Sequence, residues 1–205
     1  FVLGAVAIFI YVGVEVGIPN VLQKWLQNGG LDVEVGAEGI AATVAATYWL
    51  LMFFGRLAGA ALGAKVSAKA MLSAVSVVGL CLVLGAMFLD PAVSVNLPVF
   101  KGTEGFGMAE VPINAALLVL CGLCTSVMWG GIFNMAAEGL GKYVPMGSGI
   151  FMAMVSGGML IPLQGLLADK IGILNSYWMT IGLLAYLLFY ALVGSKLARP
   201  DIKVD

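Results

Sequence analysis

The sequence predicts an all-α membrane protein whose chain crosses the bilayer six times. Of its 205 residues, 61% are hydrophobic and only 10% charged, and the mean hydropathy of +1.06 lies far outside the range of a water-soluble domain. The apolar residues gather into six runs, each long enough to supply the roughly 20 helical residues that a hydrocarbon core requires. None of the runs alternates strictly as a barrel strand would, and lipid leaves no partner for an unpaired backbone, so each run reads as a helix.

The first span covers residues 1 to 26 and carries fourteen uncharged residues before Glu15. Phe1 already lies inside the run, with no initiator methionine, basic stretch or small-residue cleavage site before it; further chain upstream is expected. The second and third spans cover residues 37 to 64 and 67 to 90, joined by a short polar turn. From Asp90 to Glu110 runs the longest connection, broken by Pro91, Pro98, Gly102, Gly105 and Gly107. It reads as an outer loop, with a lid as the alternative. The fourth, fifth and sixth spans cover residues 111 to 138, 147 to 168 and 174 to 195, and residues 196 to 205 form a polar tail.

Six spans put both ends of the chain on one side of the membrane. That side collects Lys65, Lys69, Lys142, Lys196, Arg199 and Lys203, against Lys24, Lys101 and Lys170 on the other. The excess of basic residues predicts a cytoplasmic tail. Asp32, Glu34, Glu38, Asp90, Glu104, Glu110 and Asp169 fall on the opposite side.

Several function classes drop out. A net charge of −1 with dispersed Lys and Arg gives no footprint for nucleic acid. Histidine is absent, which removes histidine-based triads, His-ligated zinc and histidine proton shuttles. Cys121 and Cys124 form a CxxC inside an apolar span, with no second pair to complete a metal site, and read with Cys81 as apolar filler. No GxSxG elbow and no pair of intramembrane carboxylates is present, so neither an enzyme nor a cofactor is expected.

The second span ends GAALGAKVSAK and the fifth QGLLADKIG. Each is the middle helix of a triplet, and the two exit on opposite faces, as in the inverted three-helix repeats of many secondary transporters. In GRLAGAALG, Gly55, Gly59 and Gly63 recur every four residues and align on one helix face, where two backbones can approach closely.

Glu15 is the costliest residue of the first span. A charge at the centre of a spanning helix opposes insertion by about 2.5–3.5 kcal/mol, which the surrounding Val, Ile and Phe can offset at about 0.3–0.6 kcal/mol each. Pro19 removes the backbone donor that would have served the carbonyl of Glu15 itself. With Gly13 and Gly17 on either side and Asn20 and Gln23 beyond, the pattern predicts a helix broken beside a polar cavity. Glu15 is thereby a candidate for substrate binding and for proton coupling.

Other spans offer partners. Tyr48 and Trp49 sit near the middle of the second span, away from the interfacial belts. The fourth has Trp129 followed by Gly130, Gly131 and Asn134; the fifth has Ser156, Gly157, Gly158, Pro162 and Gln164. Flat rings beside amides and hydroxyls suit a small polar uncharged ligand such as a sugar, which offers an apolar C–H face and a rim of hydroxyls. Arg56 and Glu138 fall near the cytoplasmic ends of their spans and are expected to pair as a gate or latch, with snorkelling of Arg56 to the headgroups as the alternative.

The segments YVGVEVGI, FFGRLAGAALGAKVSAKAML and AAEGLGKYVPMGSGIFMAMVSGGMLIPLQGLLADKIG carry a family resemblance that extends over nearly the whole chain. It resembles the C-terminal six-helix half of a major facilitator superfamily transporter, in the fucose, glucose and galactose permease group of sugar:proton symporters. The resemblance implies a twelve-helix carrier that rocks around a central sugar site, with an N-terminal six-helix half as partner of this one. By position it points to Glu15, Asn20 and Gln23 on the first span and to Trp129 and Asn134 on the fourth as sugar-facing residues. It also implies a proton, or another coupling cation, as second substrate, and residence in a bacterial inner membrane. Asn134 departs from the proline or small residue expected in that group, which puts sugar preference in question. Two other readings stand beside this one: a facilitator carrier for another solute, such as a drug or nucleoside, and a self-contained six-helix channel or structural membrane subunit.

Overall fold

In a computed structural model, which describes residues 1–31, 36–101 and 105–197, six long apolar helices form one bundle. They are α1 (Val2–Gly30), α2 (Ala37–Gly63), α3 (Ala68–Phe88), α4 (Ile113–Ala137), α5 (Gly141–Ile171) and α6 (Tyr177–Gly194). α1 runs on to Gly30, beyond the expected end at 26, and α5 begins at Gly141, ahead of the expected start at 147. Asp32, Glu34, Gly102, Glu104, Arg199, Lys203 and the tail from 198 onward lie outside the described residues.

The first expectation to be corrected concerns α1. The helix is regular from Val2 to Trp25 and passes through Pro19 without interruption. It loosens only at Leu26–Gly30, a wide turn in which Gly29 has φ 98°. Departures from regular helix do occur in α5, where Met154–Met159 tightens to 3₁₀ geometry between two α-helical pieces. There the chain meets α1 so closely that a Cβ on Gly157 would fall onto the carbonyl oxygen of Phe9, so only glycine fits. Gly13 likewise faces Leu160 across the same contact.

The expected close packing of the GRLAGAALG face is found for two of its three glycines. Gly55 lies against Ser126 and Gly59 against Val127, drawing α2 onto α4, whereas Gly63 faces open space. With no hydrophobic drive between helices in lipid, such dispersion contacts and interhelical hydrogen bonds supply the cohesion. Asn114 Nδ2 donates to the carbonyls of Ala86 and Leu89 at 2.8 and 2.9 Å, closing the exposed end of α3. Tyr177 Oη donates to Ile18 O at 2.9 Å and Tyr186 Oη to Leu3 O at 3.1 Å, so α6 is pinned to α1 at two levels.

α1 and α4 are the most enclosed helices and α5 the least. Tyr11, Val14, Ile18, Val44, Tyr48, Leu118 and Met128 are all but inaccessible and form the centre of the core. Outward faces of α2 and α5 carry Phe53, Phe54, Leu57, Met146, Leu163 and Leu166, large apolar side chains suited to lipid or to another helix bundle.

The connection after α3 is the second correction. Instead of an irregular loop it folds as an antiparallel hairpin, β1 (Ser94–Phe100) with β2 (Phe106–Pro112), in register from Ser94 opposite Pro112 to Phe100 opposite Phe106. Its residues alternate, with Val99 and Val111 buried towards the helices and Phe106 and Met108 exposed. The Phe100 N–H donates to Thr47 Oγ1 at 2.9 Å, which seats the hairpin on α2.

Candidate functional site

Pro19 deletes one donor, and the structure shows what replaces it. Tyr48 Oη donates to the carbonyl oxygen of Glu15 at 3.0 Å. The Thr125 hydroxyl lies 2.9 Å from Tyr48 Oη, its single proton shared between that oxygen and the Cys121 carbonyl one turn back in its own helix. Three helices are thus joined by a buried chain from α4 through α2 to the carbonyl in α1. The orphan at Glu15 follows from the sequence; its partner is protein rather than water, and the fully buried Tyr48 is occupied inside the bundle.

The side chain of Glu15 pairs with a residue of α2. Arg56 Nη2 donates to Glu15 Oε1 at 2.8 Å, an ion pair in which the carboxylate side chain is 13% exposed and the arginine 54%. Where the sequence suggests a latch between Arg56 and Glu138, the structure shows Arg56 reaching the first helix. The physical reason is direction. Side chains lean towards the N-terminus of their own helix. In the antiparallel pair α1 and α2, Glu15 and Arg56 therefore lean towards each other, and they meet although their Cα positions differ in depth. Matching charges by depth alone does not find this pair.

Arg56 also borders a groove of about 490 Å³ with Ser126, Trp129, Gly130 and Asn134 on one side and Gly59, Gly63 and Met71 on the other. Trp129 is half-buried and Asn134 exposed on its wall. Behind Trp129 lies Tyr11, ring to ring at 5.9 Å. A guanidinium, an indole and an amide on one concavity provide charge-assisted donors, an apolar plate and a donor–acceptor pair, which together match a polyhydroxylated ring.

The remaining candidates lie elsewhere. Asn20 and Gln23 line a second groove, about 620 Å³, between the far end of α1 and α5, with Lys24, Gln27, Pro162 and Asp169. Asn20 Nδ2 is engaged with Val16 O at 2.8 Å. Gln164 is buried, its Nε2 donating to Thr180 Oγ1 at 3.2 Å, so its amide pins α5 to α6. Trp49 is exposed on α2, edge-on to Tyr48 at 5.4 Å. Glu138 is exposed at the end of α4. The structure therefore gathers Arg56, Trp129 and Asn134 on one groove, with Glu15 outside its lining and joined to it only through the ion pair with Arg56, and separates from them Asn20, Gln23, Trp49 and Gln164. Tyr11 and Ser126 were missed; the only sequence signal for Tyr11 is its place four residues before Glu15, on the same helix face.

The fold is that of a major facilitator superfamily transporter. A crystal structure of the major facilitator superfamily transporter FucP in the outward conformation superposes with a TM-score of 0.74 and 21% identity, over 92% of this chain and 41% of that one. The chain is also similar to the glucose/galactose transporters of Brucella abortus biovar 1 (strain 9-941) and Brucella abortus (strain 2308), 33% identical to each over 196 residues and 95% of its own length. It spans 42% of the length of those relatives. No protein-family model matches it.

Proposed function

We propose that this chain is the C-terminal six-helix half of a twelve-helix carrier that moves a monosaccharide of the glucose or galactose type across a bacterial inner membrane. The observation that carries the reading is the Glu15–Arg56 ion pair standing beside a groove walled by Trp129 and Asn134. A charge pair inside a membrane domain is costly to place and marks a substrate or ion path, and the relatives named for glucose and galactose supply the substrate class. The outward apolar faces of α2 and α5 fit a role in packing against an N-terminal half, and rocking of the two halves gives alternating access. In this reading Glu15, a carboxylate held inside the bundle by Arg56, is the candidate for coupling sugar to a proton, and the tail is on the cytoplasmic side.

Uptake of radiolabelled D-glucose, D-galactose and L-fucose by the full-length carrier in proteoliposomes, with and without an inward proton gradient, tests the reading. Saturable hexose uptake stimulated by the gradient is expected. Uptake of a nucleoside or an amphiphilic cation, with none of a hexose, would replace the sugar by another solute.

A further inference from the structure

Tyr11 is fully buried, and its hydroxyl has no hydrogen-bond partner. The hydroxyl approaches the Glu15 carboxylate closely, short of a well-formed hydrogen bond, and lies within electrostatic reach of Arg56. A buried donor left unmade costs more than an ordinary hydrogen bond returns, so such a group calls for a reason. Two facts about its surroundings supply one. Tyr11 and Glu15 are four residues apart on α1, and a glutamate in a helix leans towards exactly that neighbour. Arg56 holds Glu15 through a single Nη2–Oε1 contact and is itself half exposed to the groove, with further N–H groups free to turn that way.

We infer that Glu15 has two positions: held by Arg56 while the groove is empty, and hydrogen-bonded to Tyr11 when Arg56 is drawn onto the substrate. Tyr11 is then a positioning residue. It gives the released carboxylate a partner inside the bundle, so that Arg56 can turn its donors to the sugar hydroxyls without leaving a buried charge alone. Trp129, in tilted contact with the Tyr11 ring, holds the phenol in place on the groove side. The inference rests on the groove reading of Arg56, but its first test needs no sugar.

That test is a double-mutant cycle on thermal stability of the full-length carrier, with Tyr11→Phe and Arg56→Gln. In the wild-type background Tyr11→Phe removes an unpartnered hydroxyl and is expected to leave the melting temperature unchanged or slightly raised. In the Arg56→Gln background, where Glu15 has already moved, the same change is expected to lower it by several degrees. Equal effects in the two backgrounds overturn the inference. Should Arg56→Gln fail to fold, equilibrium binding decides: Tyr11→Phe alone is expected to weaken D-galactose or D-glucose binding about tenfold at unchanged melting temperature. An unchanged affinity, or an affinity lost together with stability, overturns it. Wild-type protein that binds no hexose while the cycle is non-additive refutes the sugar reading and leaves the two-position carboxylate standing.

Discussion

Tyr48 Oη donates at 3.0 Å to the one carbonyl, that of Glu15, from which Pro19 has taken the helical donor. Replacing Tyr48 by Phe leaves that carbonyl orphaned in a dry interior, at a cost of about 1–3 kcal/mol. For a domain of this size each kcal/mol corresponds to about 2–4 °C. Tyr48→Phe is therefore expected to lower the melting temperature in detergent by roughly 2–12 °C. Pro19→Ala restores an N–H to the same carbonyl, so in that background the penalty shrinks; an identical penalty in both backgrounds would separate Tyr48 from the proline.

The contact of α5 with α1 makes an equally local prediction. A methyl group on Gly157 meets the carbonyl of Phe9, which is backbone and cannot swing away, whereas one on Gly158 meets nothing within 4 Å. Gly157→Ala should destabilise the bundle by about 1–3 kcal/mol, and Gly158→Ala should be neutral or better. Thermal unfolding of the two variants side by side checks this, and equal stabilities would contradict the packing described.

Groove residues and bundle residues should separate in binding experiments. Trp129→Ala and Asn134→Ala each remove one face or one hydrogen-bonding arm of the groove, and a loss of about 1–1.5 kcal/mol translates to roughly tenfold in hexose affinity. Gln164→Ala breaks the bond to Thr180 inside the bundle and is expected to lower the melting temperature with affinity retained. Isothermal titration with D-galactose alongside thermal unfolding resolves the two classes.

Glu15→Gln preserves shape and removes the charge. Because Arg56 is half exposed, the stability lost with the pair is small, below about 1 kcal/mol. Hexose uptake by the variant is expected to lose its dependence on the proton gradient. Wild-type uptake with an unchanged pH profile would return Glu15 to a packing role.

Much of the architecture was legible because membrane spans are written in long apolar runs, and length alone bounds them. The orphan carbonyl at Glu15 was legible too, since the deletion by Pro19 is a fixed offset of four residues. What replaced the donor was not, because Tyr48 is 33 positions away along the chain and its register depends on how α2 packs on α1. The same holds for the partner of Arg56: depth along two helices can be counted from sequence, but the convergence of two leaning side chains requires knowing that α1 and α2 are neighbours. The hairpin after α3 was hidden by its own prolines and glycines, which break strand patterns as readily as they mark loops; Pro98 sits at an exposed position of β1 where a missing donor does no harm. The hydrogen bonds of Asn20 and Gln164 within the bundle were not legible either, since an amide in a membrane helix serves the bundle as well as it would serve a solute.

The central claim is that the groove beside the Glu15–Arg56 pair holds the transported solute. Gly130 lines that groove, with open space where a side chain would start. In full-length carrier with Cys81, Cys121 and Cys124 replaced by serine or alanine, Gly130→Cys should react with a water-soluble maleimide, and saturating D-galactose should slow that reaction severalfold. A cysteine that labels at the same rate with and without hexose, in protein that still transports it, would place the solute elsewhere and contradict the account.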